Sequence, residues 1–349
     1  MRNGVLALLA CLLAAQVTVP AVAETARIRV LPEAFPPAQP TRRFEAVSPD
    51  VHAVGKLQRI IAHDHDTFVD IARRFGLGFD ELVAANPDVD PWLPGAGTEV
   101  LLPTLYLLPD APREGVVLNI ASMRLFRYSE PDAAGRQTIE TFAVGIGRVG
   151  WATPVGEFSV IQKTENPAWY PPASVRKEHE EAGDPLPAVV PAGPDNPLGS
   201  HAIRLNLPSY LIHGTNKPAG VGMRVSHGCV RLYPEDIAAL FGAVAVGASV
   251  RIVDQPYLAA VHGQRLLLEV HAPLEDGNKD WLGALDQLAT LAGGDPVDWQ
   301  RVAASGRELS GVPIPVGANG PTPRRWRALA EQVSNPAPLE NAGPDATGG

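Results

Sequence analysis

The chain has 349 residues, 45% of them hydrophobic, which is enough for two or three domains around a sizeable core. Charged residues make up only 19%, and the 35 prolines and 33 glycines favour short strands, turns and long loops over long helices. The net charge of −9 argues against nucleic acid as a partner, because that role calls for a basic face.

Residues 1–23 read as a cleavable signal peptide. Arg2 supplies the positive start, Val5 to Ala15 is an apolar run broken only by Cys11, and Ala21-Val22-Ala23 is a small-x-small cleavage site. A membrane anchor is the competing reading, but the run is short and Pro20 ends it. A lipoprotein signal at Leu8-Leu9-Ala10-Cys11 competes less well, since the apolar stretch continues past Cys11. Cleavage after Ala23 removes Cys11 and leaves Cys229 alone. A single thiol in an exported chain fits two readings equally, a reactive group or a small buried hydrophobe.

Residues 24–56 are Pro-rich and read as a linker. Within 57–103 the pattern predicts strand, helix, helix, strand. Arg59 to Ala62 is the first strand, and Asp66 caps a helix that runs to Phe75 and stops at Gly76. A second helix spans Phe79 to Ala85, and Glu99 to Leu102 is the closing strand. From 115 to 254 the pattern is mainly β. Val116 to Ile120 and Arg124 to Tyr128 flank a hairpin turn, and Thr138 to Val144 and Glu157 to Gln162 continue the alternation. Lys163 to Ser200 is a long Pro- and Gly-rich stretch of the kind that forms lids or binding loops. Ala202 to Leu205 and Tyr210 to Ile212 are strands, Pro234 to Phe241 a helix, and Ser249 to Val253 a closing strand. Residues 255–334 form an α/β accessory region, with a strand at Arg265 to Val270 and helices at Trp281 to Leu291 and Pro323 to Val333. Residues 335–349 read as a disordered tail.

Two segments concentrate chemistry around the thiol: Ile212-His213-Gly214-Thr215 and Val225-Ser226-His227-Gly228-Cys229-Val230-Arg231-Leu232. A thiolate is the attacking species, so Cys229 needs a base or cationic neighbours. Gly228 permits a tight turn, and backbone N–H groups there suit an oxyanion. A Cys with a His gives an acyl-enzyme route. Zinc held by His201, His227 and Cys229 is the other reading, although the usual close ligand pairs are absent. Either His213 or His227 can serve as the base on sequence grounds. The other histidines, 52, 63, 65, 179, 201, 262 and 271, read as surface or structural. Glu178-His179-Glu180-Glu181 reads as a solvated face, and Trp169 and Tyr170 as groove or core aromatics.

Ser226-His227-Gly228-Cys229, with His213 upstream, resembles the signature of L,D-transpeptidases with a YkuD-type catalytic domain. The likeness spans 115–254 and includes Gly145-Ile146-Gly147, Thr153-Pro154-Val155-Gly156 and Val190 to Gly199. Twelve residues separate His213 from Ser226, and Arg231 follows the motif; both look like the Gram-negative periplasmic branch. Residues 57–103 resemble a LysM module through Asp66-Thr67-Phe68, Ala85-Asn86-Pro87 and Leu93-Pro94-Gly95.

The resemblance implies a YkuD-type β-sandwich with a short helix, beside a small βααβ domain. It also implies a periplasmic enzyme that needs no metal or organic cofactor. Its partners would be peptidoglycan stem peptides and glycan, with carbapenems as inhibitors. Cys229 would attack the bond between a diaminopimelate and D-Ala. His213 would act as base, oriented by the carbonyl of Gly214. Ser226 and His227 would shape the turn, N–H groups near Gly228 and Cys229 would hold the oxyanion, and Arg231 would fix the site or a substrate carboxylate. The acceptor would be a neighbouring stem or an outer-membrane lipoprotein. A hydrolase on the same scaffold, or a wall-binding protein without activity, are the alternatives.

Overall fold

The computed structural model describes residues 42–275 and 277–336; the signal-peptide reading and nearly all of the tail lie outside that range. The N-terminal part supplies β1 (Arg43–Ala46), β2 (Ala53–Gly55), β3 (Gln58–Ile61), α1 (Phe68–Phe75), α2 (Phe79–Ala85), β4 (Glu99–Leu102) and β5 (Leu105–Leu107). The central part opens with β6 (Val116–Asn119), β7 (Arg124–Tyr128), β8 (Gln137–Ala143), β9 (Ile146–Gly147) and β10 (Gly156–Glu165). It continues with α3 (Ala173–Glu181), β11 (His201–Leu205), β12 (Leu211–His213), β13 (Arg224–Ser226), β14 (Val230–Arg231), α4 (Pro234–Ala243) and β15 (Ser249–Val253). The C-terminal part adds β16 (Tyr257–His262), β17 (Arg265–Val270), α5 (Trp281–Ala292), α6 (Trp299–Glu308), β18 (Ile314–Pro315), α7 (Pro323–Ala328) and β19 (Glu331–Gln332).

Nine strands form the main sheet in the order β1-β8-β7-β6-β15-β10-β11-β12-β14. Alternation decides what each face buries. Val116 and Leu118 of β6 and Leu125 of β7 enter one core with Ile203, Ile212 and Val230, and α4 covers it with Ile237 and Leu240. Val117 and Phe126 turn the other way, into a second core. The sheet also folds back on itself. Beyond β8, Gly145 N–H donates to the Arg231 carbonyl at 2.8 Å, and Arg231 N–H returns to the Gly145 carbonyl at 2.9 Å. The mainly β domain expected from the resemblance is thus present, and this bridge brings the β8 side of the main sheet back to β14.

The second core belongs to the βααβ unit. Ile60, Phe68, Ile71, Leu82 and Val100 pack there with Val117, Phe126 and Ile139 of the main sheet. α1 starts one residue later than the sequence suggests. Thr67, not Asp66, is the cap: its hydroxyl accepts from Asp70 N–H, and the Asp70 carboxylate accepts from Thr67 N–H. Asp66 is buried and ion-paired with Arg74 at 2.9 Å instead. Gly76, at φ 66°, ends the helix. The unit is joined to the strands around Cys229. Asp80 N–H donates to the Gly222 carbonyl at 3.1 Å, and Tyr233 Oη to the Leu77 carbonyl at 3.0 Å. Arg73 grips Glu235 through two hydrogen bonds at 3.0 and 3.1 Å.

Four expectations change at the edges. The stretch read as a linker contributes β1, which pairs antiparallel with β8, and β2, which pairs with β5. In the accessory region, β16, β17 and β18 form a small sheet, and α6 was not foreseen. The helix expected to reach Val333 ends at Ala328, after which β19 pairs in parallel with β3. Asn335 is engaged rather than loose, its amide donating to the Ile61 carbonyl at 2.9 Å. Among the described residues no helix is long and apolar enough to cross a membrane.

Candidate active site

Cys229 closes the turn between β13 and β14, and strand alternation aims it. β12 and β14 run parallel, with Ile212 opposite Val230 and His213 opposite Arg231. Ile212 and Val230 enter the core, so their neighbours Cys229, Arg231, Leu211 and His213 point to the other face. There they line a cavity of about 700 Å³. The turn itself is tied from both sides. Ser226 Oγ donates to the Cys229 carbonyl at 2.5 Å and accepts from Gly228 N–H at 3.2 Å. Thr153 Oγ1 donates to the Gly228 carbonyl at 2.9 Å and accepts from Gly147 N–H at 3.0 Å. Gly228 sits at φ +100°, and a Cβ there would lie 2.8 Å from the Tyr210 ring, so the position needs glycine.

The thiol donates to the Ser209 carbonyl at 3.5 Å. Ser209 holds that carbonyl in place from a left-handed backbone at φ 69°. Burial pushes the Cys229 thiol up, while Leu211 N–H and the Arg231 charge pull it partly back. His213 is buried, and its Nδ1 lies 2.6 Å from the Gly214 carbonyl. A carbonyl can only accept, so Nδ1 carries the proton and Nε2 is left as the basic nitrogen. Burial, with the Arg231 charge adding to it, pushes His213 down to about 3. Burial thus favours the neutral form of both the thiol and the imidazole. Gly214 is small for a reason: a Cβ would come within 2.9 Å of Ile237.

His227 is placed differently. Its Nε2 is 3.1 Å from Glu178 Oε2 of α3, and its ring meets the edge of Trp151 at 4.9 Å. Glu178 also pairs with Arg148. Glu178 is still 38% exposed, so the solvated-face reading holds for it in part, while its carboxylate pairs with two residues beside the groove. Gly228 N–H is engaged by Ser226, so it is not free for an oxyanion in this state. Arg231 faces the cavity, and its Nε is buried with no hydrogen-bond partner among the described residues. The His201 and Phe241 rings pack at a tilt with centres 4.6 Å apart, and among the described residues no three His, Cys, Asp or Glu side chains converge as a metal would require.

Lys163 to Glu165 of the expected loop belong to β10, and residues 166–200 form a flap over the groove. Trp169 and Val190 bridge it with two backbone hydrogen bonds of 2.8 Å. Buried Asn196 gathers it, donating to the carbonyls of Pro167 at 2.8 Å and Pro191 at 3.0 Å and accepting from Leu198 N–H at 2.9 Å. Trp169 and Tyr170 line the cavity. Thr153, Ser209 and Leu211 were missed as site residues. Only Thr153 had a signal, since it falls in a segment that carried the family likeness.

A thiol, a fixed imidazole and an unpaired guanidinium on one groove suit acyl transfer through sulfur with a carboxylate-bearing substrate. The comparisons agree in kind. The profile of the YkuD L,D-transpeptidase catalytic domain matches residues 113–252. The protein of Salmonella typhimurium named "Probable L,D-transpeptidase ErfK/SrfK" is 42% identical over 260 residues, covering 72% of this chain and 82% of that one. "Probable L,D-transpeptidase YcfS" of Escherichia coli is 44% identical over 62% of this chain and 68% of its own. "Probable L,D-transpeptidase YbiS" from the same species is 39% identical over 70% and 81%. The chain belongs to the L,D-transpeptidase family and is an enzyme of that class.

Proposed function

We propose that Cys229 forms a thioester with a peptidoglycan tetrapeptide stem and passes the acyl group to an amine. His213 Nε2 takes the thiol proton as Sγ attacks the carbonyl between diaminopimelate and D-Ala. Because burial disfavours an ionised thiol, proton removal and attack go together. The protonated His213 then gives its proton to the leaving amine of D-Ala. Arg231, whose charge lacks a partner in the groove, holds a substrate carboxylate. Once the donor is seated, backbone N–H groups near Cys229 receive the oxyanion. An acceptor amine attacks the thioester, again with His213 as base, and frees the thiol. The chemistry draws on protein groups alone.

The βααβ unit is proposed to be a LysM module that binds the glycan of the wall, and the enzyme to work in the periplasm after loss of residues 1–23. Two amines fit as acceptor: a diaminopimelate side chain on a neighbouring stem, or a terminal lysine of an outer-membrane lipoprotein. The observation that supports the reading best is the groove shared by Cys229 and His213, with Nδ1 locked on Gly214. Incubation of the full chain with disaccharide-tetrapeptide, with and without a lysine-ended peptide, tests it by mass spectrometry. Dimeric muropeptide in the first mixture indicates stem cross-linking; an adduct only in the second indicates protein attachment. Tripeptide and free D-Ala alone in both would replace the transferase by a hydrolase.

A further inference from the structure

Arg148 follows β9 and runs beside the nucleophile turn. Its N–H donates to the Ser226 carbonyl at 3.0 Å, and a Cβ on the preceding Gly147 would lie 3.0 Å from Gly228 Cα. The Arg148 guanidinium is 3.2 Å from His227 Nε2 and lies over Trp151, 6.0 Å from its ring centre. Its Nε is buried with no hydrogen-bond partner among the described residues. His227 and Trp151 both line the groove that holds Cys229. One anion sits on this pair of donors. It is the carboxylate of Glu178, bound to Arg148 through one oxygen and to His227 Nε2 through the other at 3.1 Å. That carboxylate comes from the flap, not from the wall that carries the nucleophile.

We propose that Arg148 and His227 form a carboxylate-binding subsite of the donor groove, filled at rest by Glu178 and taken over by a carboxylate of the stem peptide. The proposal rests on the transpeptidase reading and names one subsite within it. The geometry favours exchange. Arg148 and Glu178 are each 38% exposed and His227 24%, so water reaches the ion pair and its strength is modest. An incoming carboxylate meets two donors already spaced for it, and the buried Nε of Arg148 offers a third. Displacing Glu178 also removes the ion pair that ties α3 to the nucleophile wall, so donor binding loosens the flap. A tetrapeptide stem brings three carboxylates, on its γ-linked D-Glu, on diaminopimelate and at its D-Ala end. Arg231 receives one, which leaves two that Arg148 can read.

Binding of disaccharide-tetrapeptide to the full chain in a Cys229→Ala background, read by calorimetry, tests this without turnover. Glu178→Gln should bind the donor roughly three-fold more tightly, since only a half-exposed pair is removed from competition. Arg148→Gln should weaken binding about ten-fold or more, the scale for a lost hydrogen bond to a charged group. Adding Glu178→Gln to Arg148→Gln should restore nothing. Donors amidated at the D-Ala terminus, the diaminopimelate carboxyl or the D-Glu carboxyl identify the source: the one Arg148 reads loses the difference between Arg148 and Arg148→Gln. If Glu178→Gln weakens binding as Arg148→Gln does, the trio is a structural clasp and the subsite is overturned. It is equally overturned if none of the three amides removes the Arg148 effect. If the Cys229 enzyme releases no D-Ala while the donor still binds as described, the transpeptidase reading fails and the subsite stands.

Discussion

On one side of the groove, β12 and β14 hold His213 and Cys229 through strand pairing inside a sheet that closes on itself. On the other, residues 166–200 are held by the side chain of Asn196, one backbone bridge, a hydrogen bond from Asn216 to the Asp195 carbonyl, the buried side chains of Val175 and Leu198 and a half-exposed ion pair. The first wall cannot shift without breaking the main core, because Ile212 and Val230 alternate with the reactive residues. The second can open without touching that core. Fixed geometry serves the chemistry, where a misplacement of about 1 Å can cost 10²-fold. In the proposed mechanism a flap held by fewer contacts would serve entry and exit of a substrate. Substitutions on the two walls should then have separable effects.

The largest effect belongs to Cys229→Ala. It should abolish D-Ala release and remove the single drug-mass adduct expected with a carbapenem. An adduct that survives in the variant, seen by intact mass, would sink the assignment of the nucleophile.

His213→Gln comes next, with a rate loss of about 10²–10⁴-fold, the range for a general base. Two pH measurements sharpen it. Alkylation of Cys229 should rise with pH without a plateau between about 3.5 and 7.5, where activated thiols titrate. A plateau there would mean a preformed thiolate. Stability should also respond. The folded-state value of His213, about 3, lies below the ordinary 6.5. The neutral ring's contribution is thus present above about pH 6.5 and is lost as pH falls toward 3, at roughly 1.4 kcal/mol per unit. His213→Gln should remove that part of the acid slope in denaturant midpoints.

What the sequence revealed, and what it hid, follows the same division. The nucleophile wall was legible because its signals are local: a His-Gly pair, a Ser-His-Gly-Cys turn and two short apolar alternations. The βααβ order was legible from helical spacing, with Gly76 as the stop. The flap was legible only as a long loop. α3 carries a single buried apolar residue, Val175, so it shows no apolar stripe, and the meeting of Glu178 with His227 spans 49 residues. β1 was hidden for a related reason. Its four residues gain strand character only by pairing with β8, nearly 100 positions away. The Gly145–Arg231 closure is likewise a long-range pairing. α6 is different: Asp298 caps it and Val302 is buried, so a cap-and-stripe signal was there to be read.

Gly228→Ala probes the rigid wall without removing a reactive group. The added Cβ meets Tyr210 at 2.8 Å, and the backbone at φ +100° resists any side chain. Strain of this kind costs about 1–3 kcal/mol. Since the turn is tied into the main core by Ser226 and Thr153, the strain should appear in both turnover and the global melting midpoint. Loss of turnover with an unchanged midpoint would mean the turn is more pliable than its hydrogen bonds suggest.

Asn196→Ala should give the smallest global change, although it removes several hydrogen bonds at once. Its amide and carbonyl oxygen serve Pro167, Pro191 and Leu198, all within the flap or at its base. Leaving those groups unpaired would cost about 1–3 kcal/mol if they stayed buried. They need not stay buried, because the flap can loosen and let water reach them while β10 to β15 remain intact. The cost is then taken as easier local opening rather than as a less stable fold. Hydrogen exchange should show faster exchange at Trp169 and Val190, whose N–H groups bridge the flap, and unchanged protection at Ile203 and Ile252 in the main sheet. The melting midpoint should move far less than with Gly228→Ala. If Asn196→Ala instead lowered the midpoint as much as Gly228→Ala and raised exchange throughout the sheet, flap and nucleophile wall would form one cooperative unit. Substrate entry would then have to proceed without the flap opening by itself.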